Sequence, residues 1–148
     1  MSRVLLLIED NPSDEKLTVR ALRKSGIADE IVVVRDGAEA LDWLFGTGAH
    51  AARSPASLPA LVLLDLKLPR IDGLEVLRRV RADERTHFVP IVILTASKEE
   101  EDLVRSYALG ANAYVRKPVD FREFAEAART IEHFWLVLNS LPPTPRAR

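Results

Sequence analysis

Leu61-Val62-Leu63-Leu64-Asp65-Leu66-Lys67-Leu68-Pro69-Arg70-Ile71-Asp72-Gly73 is the stretch from which the rest of the chain can be read. Its first four residues are apolar without alternation, which suits a short strand covered on both faces, as in parallel sheets. The run stops at an acid, Asp65. A helix follows Asp72-Gly73, with Leu74, Val76, Leu77 and Val80 as its apolar residues. Strand, acid and helix in that order are half of a β-α-β unit.

The same pattern recurs on either side. Upstream, Val4-Leu5-Leu6-Leu7-Ile8 is another unbroken apolar run, and it ends in Glu9-Asp10. Asn11 suits an N-cap and Pro12 a first helical residue. Leu17, Ala21 and Leu22 share a helical face, and Gly26 is a stop signal. Ile31-Val32-Val33-Val34 is the next strand. Asp36-Gly37 then turns the chain into a short helix with Ala38, Leu41, Leu44 and Phe45 turned inward. Residues 46–60 are rich in Gly, Ala, Ser and Pro and read as a long loop, either a tolerated surface insertion or a functional segment. Downstream, Pro90 precedes the strand Ile91-Val92-Ile93-Leu94, which ends at Thr95. A helix is expected from Ser97 or Lys98 to Gly110. The acids Glu99, Glu100, Glu101 and Asp102 lie at its start, where negative charge suits the macrodipole. The strand Ala113-Tyr114-Val115-Arg116 ends at Lys117-Pro118, and a last helix is expected from Phe121 to Asn139. Pro142, Pro143 and Pro145 end regular structure, leaving a tail expected to be disordered. Five β-α repeats with right-handed crossovers predict a doubly wound parallel α/β domain.

Composition excludes several alternatives. The 148 residues fit one domain, and 47% hydrophobic with 29% charged residues is an ordinary globular balance. A net charge of −1 gives no sign of a DNA-binding protein. Without cysteine there are no disulfides, catalytic thiolates or Cys-type zinc sites. No apolar run is long enough for a signal peptide or a membrane span, so a soluble, cytoplasmic protein is expected. His50, His87 and His133 lack metal-ligand spacing, and Arg78, Arg79 and Arg81 read as a solvated helix face.

In such a fold, ligand sites lie beyond the carboxyl ends of the strands. Those ends carry Glu9 and Asp10, Asp65, Thr95, and Lys117. Three convergent carboxylates repel one another unless a cation intervenes, and Mg²⁺ prefers oxygen ligands. Lys117 adds a fixed positive charge and Thr95 a hydroxyl donor. Together these are the parts of a phosphoryl-transfer site with a carboxylate nucleophile.

The motifs Ile8-Glu9-Asp10-Asn11, Leu64-Asp65-Leu66-Lys67-Leu68-Pro69 with Asp72-Gly73, Leu94-Thr95-Ala96 and Lys117-Pro118 resemble those of two-component response regulator receiver domains. The resemblance implies a receiver domain over residues 1–141, followed by a disordered tail at 142–148. It implies a flavodoxin-like (βα)5 fold with strand order 2-1-3-4-5. It further implies that Asp65 is phosphorylated by a histidine kinase. Asp10, Asp65 and the backbone carbonyl of Lys67 would ligate Mg²⁺, with Glu9 acting through water. Lys117 would contact the phosphoryl oxygens, Thr95 would move to bond them, and Tyr114 would be an aromatic switch. Lys117-Pro118 resembles the family's cis peptide. Such a protein is a phosphoacceptor switch, catalysing only its own phosphorylation and dephosphorylation. Glu9 stands where many receivers have aspartate. The residues at 67 and 97 influence phosphoryl lifetime in the family. A phosphohydrolase of the aspartyl-phosphate type is the alternative, but it needs an acid where this chain has Lys67. A receiver-like module that is never phosphorylated sits poorly with the complete acidic set.

With no output domain evident after the last helix, signalling through protein contacts is expected. Phe121, Phe124, Ala125, Ala128, Ile131, Trp135 and Leu138 make one helical face. Phe134, Val137 and Leu141 make a second apolar set, which predicts a homodimer on the last helix unless the segment folds back over its own domain. The segment from His133 to Pro143, Arg35-Asp36-Gly37 and the long loop resemble the single-domain response regulators of bacterial and cyanobacterial phytochromes. That resemblance implies a phytochrome-type kinase as partner.

Overall fold

The computed structural model describes residues 3–53 and 57–143. Its strands are β1 (Val4–Ile8), β2 (Glu30–Val34), β3 (Leu61–Leu64), β4 (Ile91–Thr95) and β5 (Ala113–Arg116). Between and after them lie α1 (Pro12–Ser25), α2 (Gly37–Phe45), α3 (Gly73–Ala82), α4 (Glu100–Ala108) and α5 (Phe121–His133). The five strands form one parallel sheet in the order β2-β1-β3-β4-β5, as expected. In-register pairs such as Ile8 with Leu64 and Thr95 with Arg116 bring the carboxyl ends of β1, β3, β4 and β5 to one edge.

The apolar runs fill two cores. On one face Leu5, Leu7, Leu61, Leu63, Val92 and Leu94 pack against α1 and α5. On the other, Leu6, Ile8, Val62, Leu64, Ile91 and Ile93 pack against α2 and α3. This explains why the strands are not alternating: both faces are covered. In α2 the buried residues include Ala40 and Trp43, whereas Ala38 and Phe45 are only half-buried. The helix is therefore rotated slightly from the expected face, so that the large Trp43 ring is covered.

Most helices begin on a side-chain cap, which satisfies backbone donors left free by the first turn. Asn11 Oδ1 accepts from Asp14 N at 3.0 Å, Asp36 from Glu39 N at 2.7 Å, Asp72 from Glu75 N at 2.9 Å and Asp120 from Glu123 N at 3.0 Å. Helix α4 differs. Its cap residue Glu99 makes no side-chain capping bond, and its two buried residues, Asp102 and Ser106, are both polar. It starts at Glu100, not at Ser97 or Lys98, because the Ser97 hydroxyl is spent on Asp102 and accepts from Glu99 N.

The last helix continues as a π-helical turn over Phe134–Leu138. The wider turn advances the buried face by one residue, so Leu136 is buried and Leu138 is exposed, contrary to the helical spacing read from sequence. Phe121, also expected in the core, is exposed at the first position of α5, next to the exposed Val119. Arg81 is not on a solvated face. It bonds the carbonyls of Gly110, His87 and Val89 and the side chain of Asn112 at 2.7–2.9 Å, stitching the α3–β4 and α4–β5 loops to α3. Arg78 and Arg79 do lie outside, paired with Glu75.

The long loop is anchored on α2. Arg53 lies 3.5 Å over the Trp43 ring and donates to the carbonyls of Trp43 and Ser57. Residues 54–56 of this loop, and 144–148 of the tail, lie outside the described residues. Pro142 and Pro143 carry no regular structure. Among the described residues, no helix is long and apolar enough to cross a membrane.

Candidate functional site

A glycine lets the β3–α3 loop close at the carboxyl edge. Gly73 N donates to Leu66 O at 2.9 Å, seating the start of α3 on the end of β3. A Cβ at Gly73 would run into the Asp65 carbonyl oxygen and lie 2.7 Å from Leu66 Cα. Between them, Arg70 has a φ of 67° at the centre of a three-residue turn closed by Ile71 N to Pro69 O at 2.8 Å.

Asp65 is buried at the centre of a depression of about 410 Å³ lined also by Asp10, Asn11, Pro12, Asp14, Lys67, Thr95, Ala96 and Lys117. Its Oδ1 accepts from Thr95 Oγ1 at 2.8 Å and from Lys67 N at 3.3 Å. Its Oδ2 lies 2.7 Å from Lys117 Nζ. The same ammonium reaches Glu9 Oε1 at 2.7 Å and Asp14 Oδ2 at 2.8 Å. Burial works against its charge, but the three carboxylates outweigh that and hold Lys117 protonated above its usual range. The structure thus brings Glu9, Asp10, Asp65, Thr95 and Lys117 together, as the strand ends predict, with Lys67, which the family resemblance implies, beside them.

The Lys117–Pro118 peptide is trans, as are all peptides among the described residues, against the expected cis bond. Lys117 is aimed inward by another route: its N donates to Thr95 O at 2.8 Å, which extends the β4–β5 ladder by one residue.

One carboxylate oxygen from each of Glu9, Asp10 and Asp65 lies within 4.8 Å of the others, with Asp10 exposed and the other two buried. This all-oxygen donor set with an open side fits a hard divalent cation such as Mg²⁺. It is the one such cluster among the described residues, and none of the histidines joins it. Burial pushes the Glu9 carboxyl up to about 7, with the Asp65 charge adding to the rise and the Lys117 bond opposing it. The folded state therefore keeps a proton that the unfolded chain, at its ordinary 4.5, has released. The metal-free domain loses stability as pH rises through that window. Urea unfolding in EDTA is expected to show a loss of about 1–3 kcal/mol between about pH 5 and about pH 7.5, relative to Glu9→Gln. Equal pH slopes for the two proteins would refute this.

Asp14 and Asp102 belong to the site and are missed by sequence reasoning. Asp14 is in the first turn of α1, at the third residue past the cap Asn11, and faces Lys117. Asp102 is buried. Its Oδ2 accepts from Ser97 Oγ at 2.7 Å and pairs with Lys67 Nζ at 3.4 Å. The Ser97 hydroxyl, then burial opposing it, then Lys67 set its carboxyl below the usual range. In the sequence Asp102 is hidden among exposed helix-start acids. Tyr114 is half-buried, with its hydroxyl on Ser97 O at 3.3 Å. Phe134, Val137 and Leu141 are 47%, 49% and 40% exposed.

Residues 5–129 match the family model of the response regulator receiver domain. The chain is 37% identical over 140 residues to the response regulator Rcp1 of Synechocystis, covering 95% of this chain and 93% of Rcp1. The Mn²⁺-bound crystal structure of Rcp1 superposes with a TM-score of 0.88 at 35% identity, covering 95% of this chain and 99% of that one. The phosphorylated cyanobacterial phytochrome response regulator RcpA gives a TM-score of 0.90 at 38% identity, over 97% and 100% of the two chains. The bacteriophytochrome response regulator AtBRR is 53% identical, with a TM-score of 0.74 over 95% and 99%.

Proposed function

Because the chain belongs to the response regulator receiver family, we propose that it is a phosphoryl-acceptor switch of phytochrome signalling, with Asp65 as acceptor and a sensor histidine kinase of bacteriophytochrome type as donor. The observation that carries this reading is the environment of Asp65: a buried carboxylate held between the Lys117 ammonium and the Thr95 hydroxyl at 2.7 and 2.8 Å. The likeness to the named phytochrome regulators supports the choice of kinase.

In the reaction an Asp65 carboxylate oxygen attacks the phosphorus of a phosphohistidine. The P–O bond forms as the P–N bond breaks, and the leaving imidazole nitrogen keeps the electron pair. Glu9, Asp10 and Asp65, with the Lys67 carbonyl, would hold Mg²⁺. The cation, when bound, neutralises charge on the transferred group. Lys117 supplies a fixed positive charge at the acceptor oxygen. Thr95 already donates to Asp65, and a small movement carries its hydroxyl to a phosphoryl oxygen. That movement frees space for Tyr114 to turn from Ser97. Val119 and Phe121, 94% and 77% exposed two and four residues beyond Lys117, offer an apolar surface for the kinase beside the acceptor.

The test is intact mass after incubation with acetyl phosphate and Mg²⁺, beside Asp65→Asn, followed by a red/far-red-regulated kinase as donor. A gain of one phosphoryl group in the parent alone supports the reading. A gain in both proteins, or in neither with any donor, defeats it.

We also propose output through protein contacts, in the cytoplasm and without DNA or membrane binding. Phe134, Val137 and Leu141 would form a homodimer face on the C-terminal helix, since an apolar set this exposed is best covered by a second copy. Phe134→Glu should lower the sedimentation coefficient from dimer to monomer while leaving phosphoryl uptake intact. A dimer unchanged by Phe134→Glu would remove the face.

A further inference from the structure

Helix α4 is held unlike its neighbours. The other helices each bury apolar side chains, whereas α4 buries Asp102 and Ser106 and lacks a side-chain cap. Its seat therefore depends on polar contacts, and Asp102 makes those that leave the helix. One goes to Ser97 in the loop between β4 and α4, at 2.7 Å. The other crosses the mouth of the site to Lys67, two residues beyond the acceptor, at 3.4 Å. Ser106 Oγ, by contrast, donates to the Asp102 carbonyl within the helix.

The Lys67–Asp102 pair is lopsided. The Asp102 side chain is 10% exposed, and that of Lys67 is 65% exposed. Such a pair parts readily, because the lysine end keeps most of its hydration. Lys67 and Lys117 are the cationic side chains lining the depression around Asp65. Lys117 is already committed to three carboxylates. Among the described residues, only Lys67 is placed to answer new negative charge by changing partner. A phosphoryl group brings about −1.5 to −2 in place of a single carboxylate charge.

We propose that Asp102 is a positioning residue that holds Lys67 away from Asp65 in the resting domain. Phosphorylation of Asp65 draws Lys67 off Asp102 and so loosens the seat of α4. Asp102 keeps its Ser97 bond throughout, so α4 is released on the Lys67 side alone. The exchange acts beside Thr95 and Tyr114 and reaches the same helix from the opposite loop. It rests on the reading of Asp65 as phosphoryl acceptor.

The test is a double-mutant cycle on phosphoryl uptake from acetyl phosphate, comparing the parent, Asp102→Asn, Lys67→Met and the double variant. The asparagine oxygen still accepts from Ser97 but carries no charge to restrain Lys67. Asp102→Asn is expected to take up phosphoryl about two- to five-fold faster than the parent. With Lys67→Met beneath it, the same substitution is expected to change nothing. An equal gain on both backgrounds would make Asp102 a plain anchor and overturn the proposal, as would no gain on either. A parent that takes up no phosphoryl group would instead defeat the underlying reading. Should Asp102→Asn fail to fold, amide exchange over Glu100–Ala108 decides. Unphosphorylated Lys67→Met is expected to exchange about two- to five-fold faster there than the parent, and equal rates would overturn the proposal.

Discussion

Lys117→Met is expected to destabilise the metal-free domain by about 3–5 kcal/mol and to slow phosphoryl uptake about 10²–10³-fold. Methionine follows the lysine stem closely, so little packing is lost. What disappears is one ammonium within 2.8 Å of three carboxylates. Glu9 and Asp65 are buried and have no other cationic partner among the described residues. Removing one member of such a cluster leaves uncompensated charge in poorly hydrated surroundings, which is why the loss exceeds that of a surface pair. Urea unfolding in EDTA measures the first effect, and intact mass against time the second. Mg²⁺ should restore part of the stability by entering among the same carboxylates. It should not restore the rate, because the charge at the acceptor oxygen is still missing. Equal stability of variant and parent in EDTA would mean that the lysine does not hold the cluster together.

Gly73→Ala is expected to lower stability by about 1–3 kcal/mol or more and to impair uptake, although it meets Asp65 only at its backbone and leaves the carboxylate unchanged. The new methyl group would meet the Asp65 carbonyl and Leu66 Cα, which are backbone atoms fixed by the sheet. Either α3 moves off the end of β3 or Asp65 moves with its loop. Gly26→Ala is the control. It also introduces a side chain, at a φ of 64°, but at the other end of α1, where the nearest atom is the Arg23 carbonyl oxygen at an ordinary contact distance of 4.0 Å. It should lose on the order of 1 kcal/mol through backbone strain and take up phosphoryl at the parent rate. Equal uptake by both alanine variants would show that the close approach at Gly73 does not set the acceptor position.

The strands and the gathering of Glu9, Asp10, Asp65, Thr95 and Lys117 at one sheet edge were legible in the sequence because each depends on local pattern. Unbroken runs such as Leu61–Leu64 announce a sheet covered on both faces, and the polar residue that ends each run marks the carboxyl edge. Asn11, Asp36 and Asp72 announce helix starts because capping is a bond between near neighbours. What was missed depends on distant partners or on phase. Asp14 is an ordinary first-turn acid until β5 brings Lys117 to it. Asp102 cannot be told from Glu100 and Glu101 until the loop after β3 arrives. Arg81 looks solvated until two further loops close over it. The π-helical turn shifts the burial of Leu136 and Leu138 by one residue, and no composition signal in that all-apolar stretch marks the shift.

The route by which Lys117 enters the cluster has a consequence for the order in which the chain can fold. Its partners Asp65 and Asp14 lie 52 and 103 residues earlier. Contacts of such sequence separation form late, since a long loop must close before they can reward it. A nascent chain that has paired β1 with β3 but not yet added β5 already holds Glu9 and Asp65 side by side without their counterion. That intermediate is opposed by its own charges, and docking of the last strand relieves the opposition. Lys117 would thus also favour the complete sheet over any partial one, because it brings the counterion for Glu9 and Asp65.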